Sequence, residues 1–317
     1  MINCTSLKDK NVYLSMTKDG YLALESLLKH RKKVDVVITR PKEGSGEISD
    51  YTDFTPLAKE YCLKVIYTKN INSLKNQFIE ERPNILIVNG WSQILTKEIL
   101  QSSKKGCVGS HPALLPKNRG RAPIPWHFIN NEEYGGITIF YLNAEVDDGP
   151  IITQKKFKIE PEDNASSYYE KISKFGAELF LKYFDDISSG TAKEYAKPQY
   201  SKNATYLLKR EPRDSYVNFN KDSQHILNQV RAVTDIYPLA YFCYEDQKYT
   251  FKSVVIKDNV PFFSGRNGQI VSVSKKHLGI VSNNKLLYLS KIFSEGLEVD
   301  ITKAFKQGHQ LNEKDVF

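Results

Sequence analysis

Apolar positions in the first half of the chain come as short β-branched runs separated by amphipathic stretches. Asn11–Met16 reads as a strand, and Asp19–His30 follows with apolar residues at Tyr21, Leu22, Leu24, Leu27 and Leu28, the stripe of one helix face. Val34–Thr39 then reads as strand, Thr55–Cys62 as helix, Lys64–Tyr67 as strand, Asn72–Glu81 as helix and Asn84–Val88 as strand. This alternation predicts an α/β fold, a doubly wound and mostly parallel sheet with helices on both faces. The near-continuous apolarity of the strands fits burial on both sides. Gly136–Leu142 and Ile151–Ile159 read as two further strands, and Asn164–Ser188 as a long amphipathic helix capped by Asn164.

The texture changes after residue 188. Residues 189–203 carry Ser-Ser-Gly and Lys-Pro without periodicity and read as a linker. Beyond it stand one helix around Asp222–Val233 and short strands at Tyr241–Tyr244, Tyr249–Lys257, Gln269–Ser274, Leu278–Val281 and Lys285–Ile292, the pattern of a small barrel or curled sheet. The expected organisation is a catalytic domain over 1–188, a linker, and a smaller β-rich, barrel-like domain over 204–317.

Composition narrows the class. The 317 residues are 40% hydrophobic and 26% charged, as in soluble globular proteins. The chain opens without a basic segment leading into an apolar run, and no apolar stretch approaches the roughly 18 residues of a membrane span. Four scattered cysteines (Cys4, Cys62, Cys107, Cys243) make no C-x-x-C pair, which argues against a disulfide framework or zinc knuckle and fits a reducing cytoplasm. No His/Asp/Cys cluster has ligand spacing, so no metal is expected. The net charge of +8 is spread along the chain rather than gathered into a nucleic-acid surface.

Ligands of open parallel sheets sit at the carboxyl ends of strands. Two such ends stand out: Asn89-Gly90-Trp91 after the NILIV strand, and Cys107–His111 leading into the basic turn Arg119-Gly120-Arg121. Asp147 and Asp148 precede a glycine in a tight turn between strands. A histidine, an acidic pair and a glycine-bearing strand end form an acid–base constellation, although spacing alone does not bring them together.

The run SHPALLPKNRGRAPIPW at 110–126, followed by GGITIFYLNAEVDDGPII at 135–152, resembles the signature of formyltransferases that use N10-formyltetrahydrofolate. The resemblance covers roughly residues 11–160, and more weakly 204–242 resembles the start of that family's C-terminal domain. It implies that His111 handles the proton of the attacking amine and stabilises the tetrahedral species, and that Asp147 holds the imidazole in the right tautomer and stabilises its charged form. It places the folate against Asn89, Gly90, Trp91, Ile94 and the turn Val146, Asp147, Asp148. Arg119, Gly120 and Arg121 become candidates for substrate phosphate, with Arg119 and Arg121 equally open to an ion-pair role. One departure is plain: the family carries Asn-x-His, whereas this chain has Gly109-Ser110-His111. In an extended strand 109 and 111 share a face and Ser110 looks away, so Asn89 is the expected replacement amide, with an ordered water or an impaired site as the alternatives.

Three acceptor readings follow. The first is an N-formyltransferase acting on a nucleotide-linked amino-deoxy sugar, a UDP-linked 4-amino sugar in surface polysaccharide or glycan biosynthesis. The second is a methionyl-tRNA formyltransferase, and the third a folate-binding protein whose Gly109 marks lost turnover. The loop RPKEGSGEISDYTDF, with Glu43, Glu47, Asp50 and Asp53, would repel a phosphate backbone and favours the sugar over nucleic acid. The resemblance also implies a homodimer.

Overall fold

The computed structural model describes residues 5–43, 45, 50–257 and 265–311. It divides into two compact units. The first is Met1–Pro123, Tyr134–Ile159 and Tyr168–Leu208; the second is Ile124–Glu133, Glu160–Ser167 and Lys209–Phe317.

The first unit runs β1 (Asn11–Leu14), α1 (Lys18–Lys29), β2 (Val36–Thr39), α2 (Thr55–Glu60), β3 (Lys64–Tyr67), α3 (Lys75–Glu81), β4 (Ile85–Val88), α4 (Lys97–Ser102), β5 (Cys107–His111) and β6 (Arg119–Gly120). The chain continues through α5 (Pro123–Ile129), β7 (Tyr134–Tyr141), β8 (Ile151–Lys158), α6 (Ala165–Ser189), α7 (Ala192–Tyr195) and β9 (Tyr206–Leu207). Seven strands form one sheet in the order β3-β2-β1-β4-β5-β7-β8. β3 to β5 pair in parallel, as the alternation predicts, whereas β7 and β8 add an antiparallel edge. β6 and β9 pair separately, in parallel.

One face of this sheet shows why the strands read as apolar throughout. Val12, Leu14, Val36, Ile38, Leu86, Val88 and Cys107 point into a core closed by Ile71, Phe78, Leu95 and Ile99. α1 carries Asp19 in its first turn and Lys29 in its last, both favourable to the helix dipole, and buries Ala23, Leu24, Leu27 and Leu28. α4 has only six residues, too few to show helical periodicity in the sequence.

Strand order reverses between β1 and β4, so a crevice opens beyond their carboxyl ends. Residues 189–203 are more than a linker. α7 lies within them, Ser201–Asn203 forms a 3₁₀ turn, and Lys197 and Ile151 exchange backbone hydrogen bonds of 2.7 and 2.8 Å.

The second unit holds α8 (Ser223–Ala232), β10 (Ala240–Tyr244), β11 (Gln247–Lys257), β12 (Ile270–Val273), β13 (Leu278–Ser282), β14 (Lys285–Ser294), β15 (Leu297–Glu298) and α9 (Ile301–Ala304). Its antiparallel sheet runs β10-β11-β14-β13-β12, with β15 on β14. Phe242 anchors the core, ringed by Phe219, Tyr249, Phe251 and Phe305. Asn164 caps α6 as the sequence suggests: its side-chain oxygen accepts the Ser166 and Ser167 N–H groups at 2.9 and 3.1 Å.

Candidate active site

His111 closes β5 and is 5% exposed. Its Nε2 lies 2.7 Å from the carbonyl oxygen of Asn118, and its Nδ1 lies 3.5 Å from Oδ2 of Asp147. A carbonyl oxygen only accepts, so Nε2 carries a proton and Nδ1 is the nitrogen that faces the carboxylate. The tautomer is therefore held by Asn118, a residue the sequence reading did not single out. Asp147 stands beyond hydrogen-bond length from the ring but close enough to stabilise its cation.

Asp147 reaches this position because the 142–150 connection starts beside Cys107, where Leu142 N–H donates to Cys107 C=O at 2.8 Å, and doubles back to the level of His111. The turn is tight. A Cβ on Gly149 would lie 1.7 Å from the Tyr141 carbonyl oxygen, so only glycine fits. Asp147 adopts a left-handed φ of 49°, uncommon outside glycine and asparagine. Its Oδ2 accepts the Gly120 N–H at 2.8 Å.

Two sequence expectations are corrected here. Asn89 does not stand in for the missing amide at 109. β4 and β5 pair Val88 with Gly109, so Asn89 shares a face with Ser110, opposite to the face of Gly109 and His111. There Asn89 is 2% exposed; its Oδ1 accepts the Ser110 hydroxyl at 2.6 Å and its Nδ2 donates to the Tyr13 hydroxyl at 3.3 Å. The Tyr13 hydroxyl donates in turn to Gly20 C=O at 2.9 Å, and burial pushes its pKa well above the ordinary tyrosine range. On the His111 face, an apolar side chain covers Gly109. A Cβ there would meet Leu142 Cδ2 at 2.8 Å.

Arg119 is the second correction. It is 1% exposed, and its guanidinium pairs with Asp148. The same group donates from Nε and Nη2 to Gln199 Oε1 at 3.2 and 2.8 Å, and from Nη1 to the Tyr206 hydroxyl at 3.1 Å. These contacts take up the fork that a phosphate would need. Asp148, expected against the folate, is its ion-pair partner. Of the basic turn, Arg121 alone is exposed, while Gly120 acts through its N–H. Gln199, Thr205 and Tyr206 contact the segments that carry His111 and Asp147 although they lie some 90 residues beyond His111, and no motif or period in the sequence marks them.

The remaining expected residues line the strand ends. Gly90 follows β4 with φ 70°, and its carbonyl accepts the Met16 N–H at 3.2 Å across the order reversal. Trp91 packs against the sheet core, and its indole N–H is buried without a partner among the described residues. Ile94 is 85% exposed and Val146 54% exposed.

Residues 22–183 match the formyl transferase family, and residues 209–309 match the formyl transferase C-terminal domain. The chain belongs to the formyl transferase family.

This formyl transferase is 32% identical over 297 residues to the methionyl-tRNA formyltransferase of Thermodesulfovibrio yellowstonii, covering 92% of this chain and 93% of that one. It is 30% identical over 274 residues to the bifunctional polymyxin resistance protein ArnA of Wigglesworthia glossinidia brevipalpis, covering 83% of this chain and 41% of that longer one. Among solved structures it shares its fold with the N-formyltransferase of Helicobacter canadensis, solved with folinic acid and dTDP-3-aminofucose. The TM-score is 0.66 at 19% identity, over 88% of this chain and 98% of that one. In the formyl transferase, then, a tautomer-fixed histidine backed by an aspartate sits at a strand end beside an apolar wall. Among its described residues no group of three or more His, Cys, Asp or Glu could hold a metal, and no helix is long and apolar enough to cross a membrane.

Proposed function

We propose that the protein transfers a formyl group from N10-formyltetrahydrofolate to the primary amine of a nucleotide-linked amino-deoxy sugar, with His111 and Asp147 as the acid–base pair. The folate supplies the formyl carbon; the buried Trp91 N–H and the exposed Ile94 and Val146 side chains suit its pterin. His111 Nδ1, unprotonated while Nε2 donates to Asn118, takes the proton lost by the amine as the new C–N bond forms. Asp147, at 3.5 Å, stabilises the imidazolium. The same proton is then available to the departing N10 nitrogen as its bond to the formyl carbon breaks. A cytoplasmic location and a homodimer are part of the proposal.

The observation that carries the sugar reading is the loop after β2. Its carboxylates are built into the protein: Asp50 Oδ2 accepts the Tyr169 hydroxyl at 3.0 Å and Asp53 Oδ1 accepts the Thr55 N–H at 2.9 Å. Glu47 lies outside the described residues. Fixed carboxylates at this position oppose a phosphate backbone. A second reading, methionyl-tRNA formyltransferase, is favoured by the relative at 32% identity. The two separate in one assay with labelled formyl donor offered UDP-linked 4-amino-4-deoxyarabinose, dTDP-3-aminofucose or methionyl-tRNA. Formylation of a sugar nucleotide but not of the tRNA is the expected result; the reverse overturns the sugar reading.

A further inference from the structure

Asn118, Arg119 and Gly120 are consecutive, and between them they touch both members of the acid–base pair. The Asn118 carbonyl holds His111 Nε2 at 2.7 Å, and the Gly120 N–H holds Asp147 Oδ2 at 2.8 Å. That carboxylate oxygen is the one facing Nδ1. Asn118 reaches its orientation through a left-handed φ of 60°, and Gly120 through a φ of 104° that only glycine adopts readily.

The segment is itself fixed by residues that follow α7. Asn118 N–H donates to Thr205 Oγ1 at 2.8 Å, Arg119 N–H to Thr205 C=O at 2.9 Å, and Arg121 N–H to Leu207 C=O at 3.2 Å. Gln199 ties the other side. Its Nε2 donates to the carbonyls of Asp147 and Gly149 at 2.9 and 2.8 Å, while its Oε1 accepts from Arg119 Nε and Nη2. The amide thus uses both of its N–H groups and both lone pairs on two loops at once. No other side chain of this length offers two donors and an acceptor in one plane.

We propose that residues 118–120 and the crossing segment 197–207 form a clamp that sets the separation and orientation of His111 and Asp147, with Gln199 and Thr205 as positioning residues. The inference rests on the reading of His111 and Asp147 as the acid–base pair. Neither positioning side chain touches the imidazole. They act through the Asn118 carbonyl, the Gly120 N–H and the 147–149 turn, and a displacement of about 1 Å in such a pair costs on the order of 100-fold in rate.

The test begins without substrate. ¹⁵N NMR of the imidazole rings, with His111 assigned by difference from His111→Ala, should give one Nε2–H tautomer with a slowly exchanging proton in the intact protein. Gln199→Ala and Gln199→Glu should lose that signature, the first by removing all four hydrogen bonds and the second by turning a carboxylate toward two carbonyls. In formyl transfer to the acceptor that the assay above selects, kcat should fall about 10- to 100-fold while KM for each substrate holds within about threefold. Thr205→Val should show the same split, and Thr205→Ser, which keeps the accepting hydroxyl, should recover most of the loss. Should the Gln199 variants not fold, the Thr205 pair carries both readouts. An unchanged ring spectrum in the variants, a loss confined to KM, or no recovery in Thr205→Ser overturns the clamp. An inactive His111→Ala beside an unaffected Gln199→Ala removes the clamp alone, whereas a fully active His111→Ala removes the acid–base reading as well.

Discussion

A side chain at position 109 would meet Leu142 Cδ2 at 2.8 Å, so the two positions share one volume beside His111. Gly109→Asn should therefore overpack the wall, lowering stability by about 1–3 kcal/mol and turnover with it. Gly109→Asn with Leu142→Ala should regain the thermal midpoint and exceed the single variant in kcat, because the amide then has room beside the ring. Equal midpoints for the two would show that Leu142 is not the obstacle. Asn89 behaves differently. Asn89→Ala leaves the half-buried Ser110 hydroxyl without its acceptor and the Tyr13 hydroxyl with Gly20 C=O alone, an expected cost of about 1–3 kcal/mol in denaturant unfolding. Because its amide points away from His111, kcat measured at a temperature where the variant is folded should change by less than the roughly 100-fold of a lost oxyanion donor. At this scale the sequence showed which residue types were present and that 109 and 111 share a face. It could not show that Asn89 falls on the other face, since that depends on the register of β4 against β5.

The elements divide along a similar line. β1, β2 and β4 were legible because each is buried on both sides, and α1 because it carries a stripe; β3, at the sheet edge, was legible from its β-branched pair Val65-Ile66 between polar flanks. β7 and β8 were legible as strands, but their antiparallel direction was not, because direction is set by the connection and not by the strand's own residues. That direction makes the 142–150 turn run back toward His111. Gly149→Ala, with its Cβ 1.7 Å from the Tyr141 carbonyl oxygen, should open this turn. The expected result is an activity loss of more than about 100-fold, with a lowered thermal midpoint and a changed His111 ring spectrum. Near-normal kcat in that variant would show that the turn does not set the position of Asp147. The segment 189–203 read as linker because α7 has four residues and the 3₁₀ turn Ser201–Asn203 three, both too short for any period to register.

Across the first unit, one buried polar junction joins the loop after β2 to α1 and α6. The Tyr169 hydroxyl bridges Asp19 and Asp50 at 3.1 and 3.0 Å. Burial first and the Asp19 carboxylate second raise the Asp50 carboxyl above its ordinary value of 3.8, partly offset by the Tyr169 hydrogen bond. The folded state then holds this proton more tightly than the unfolded chain. Its contribution to stability is present below the ordinary value and is lost as pH rises through the raised one. Asp50→Asn removes the charge and keeps an acceptor for Tyr169. Its thermal midpoint should exceed that of the parent at about pH 7, and the gain should shrink toward about pH 3, where both forms are neutral. A gain independent of pH would remove the carboxyl as its cause.

By itself the sequence determined the α/β class, the change of texture into a β-rich second half, and the histidine and aspartate on which the chemistry was placed. All of these follow from local periodicity or from a contiguous motif. The tertiary structure alone decided that Arg119 is an internal brace, that Leu142 takes the space above Gly109, and that Asn118 fixes the His111 tautomer. It also decided that Gln199 and Thr205 belong to the site. Each of these is a contact between segments distant in the chain, made by register, strand direction and the packing of side chains, quantities that no run of neighbouring residues encodes.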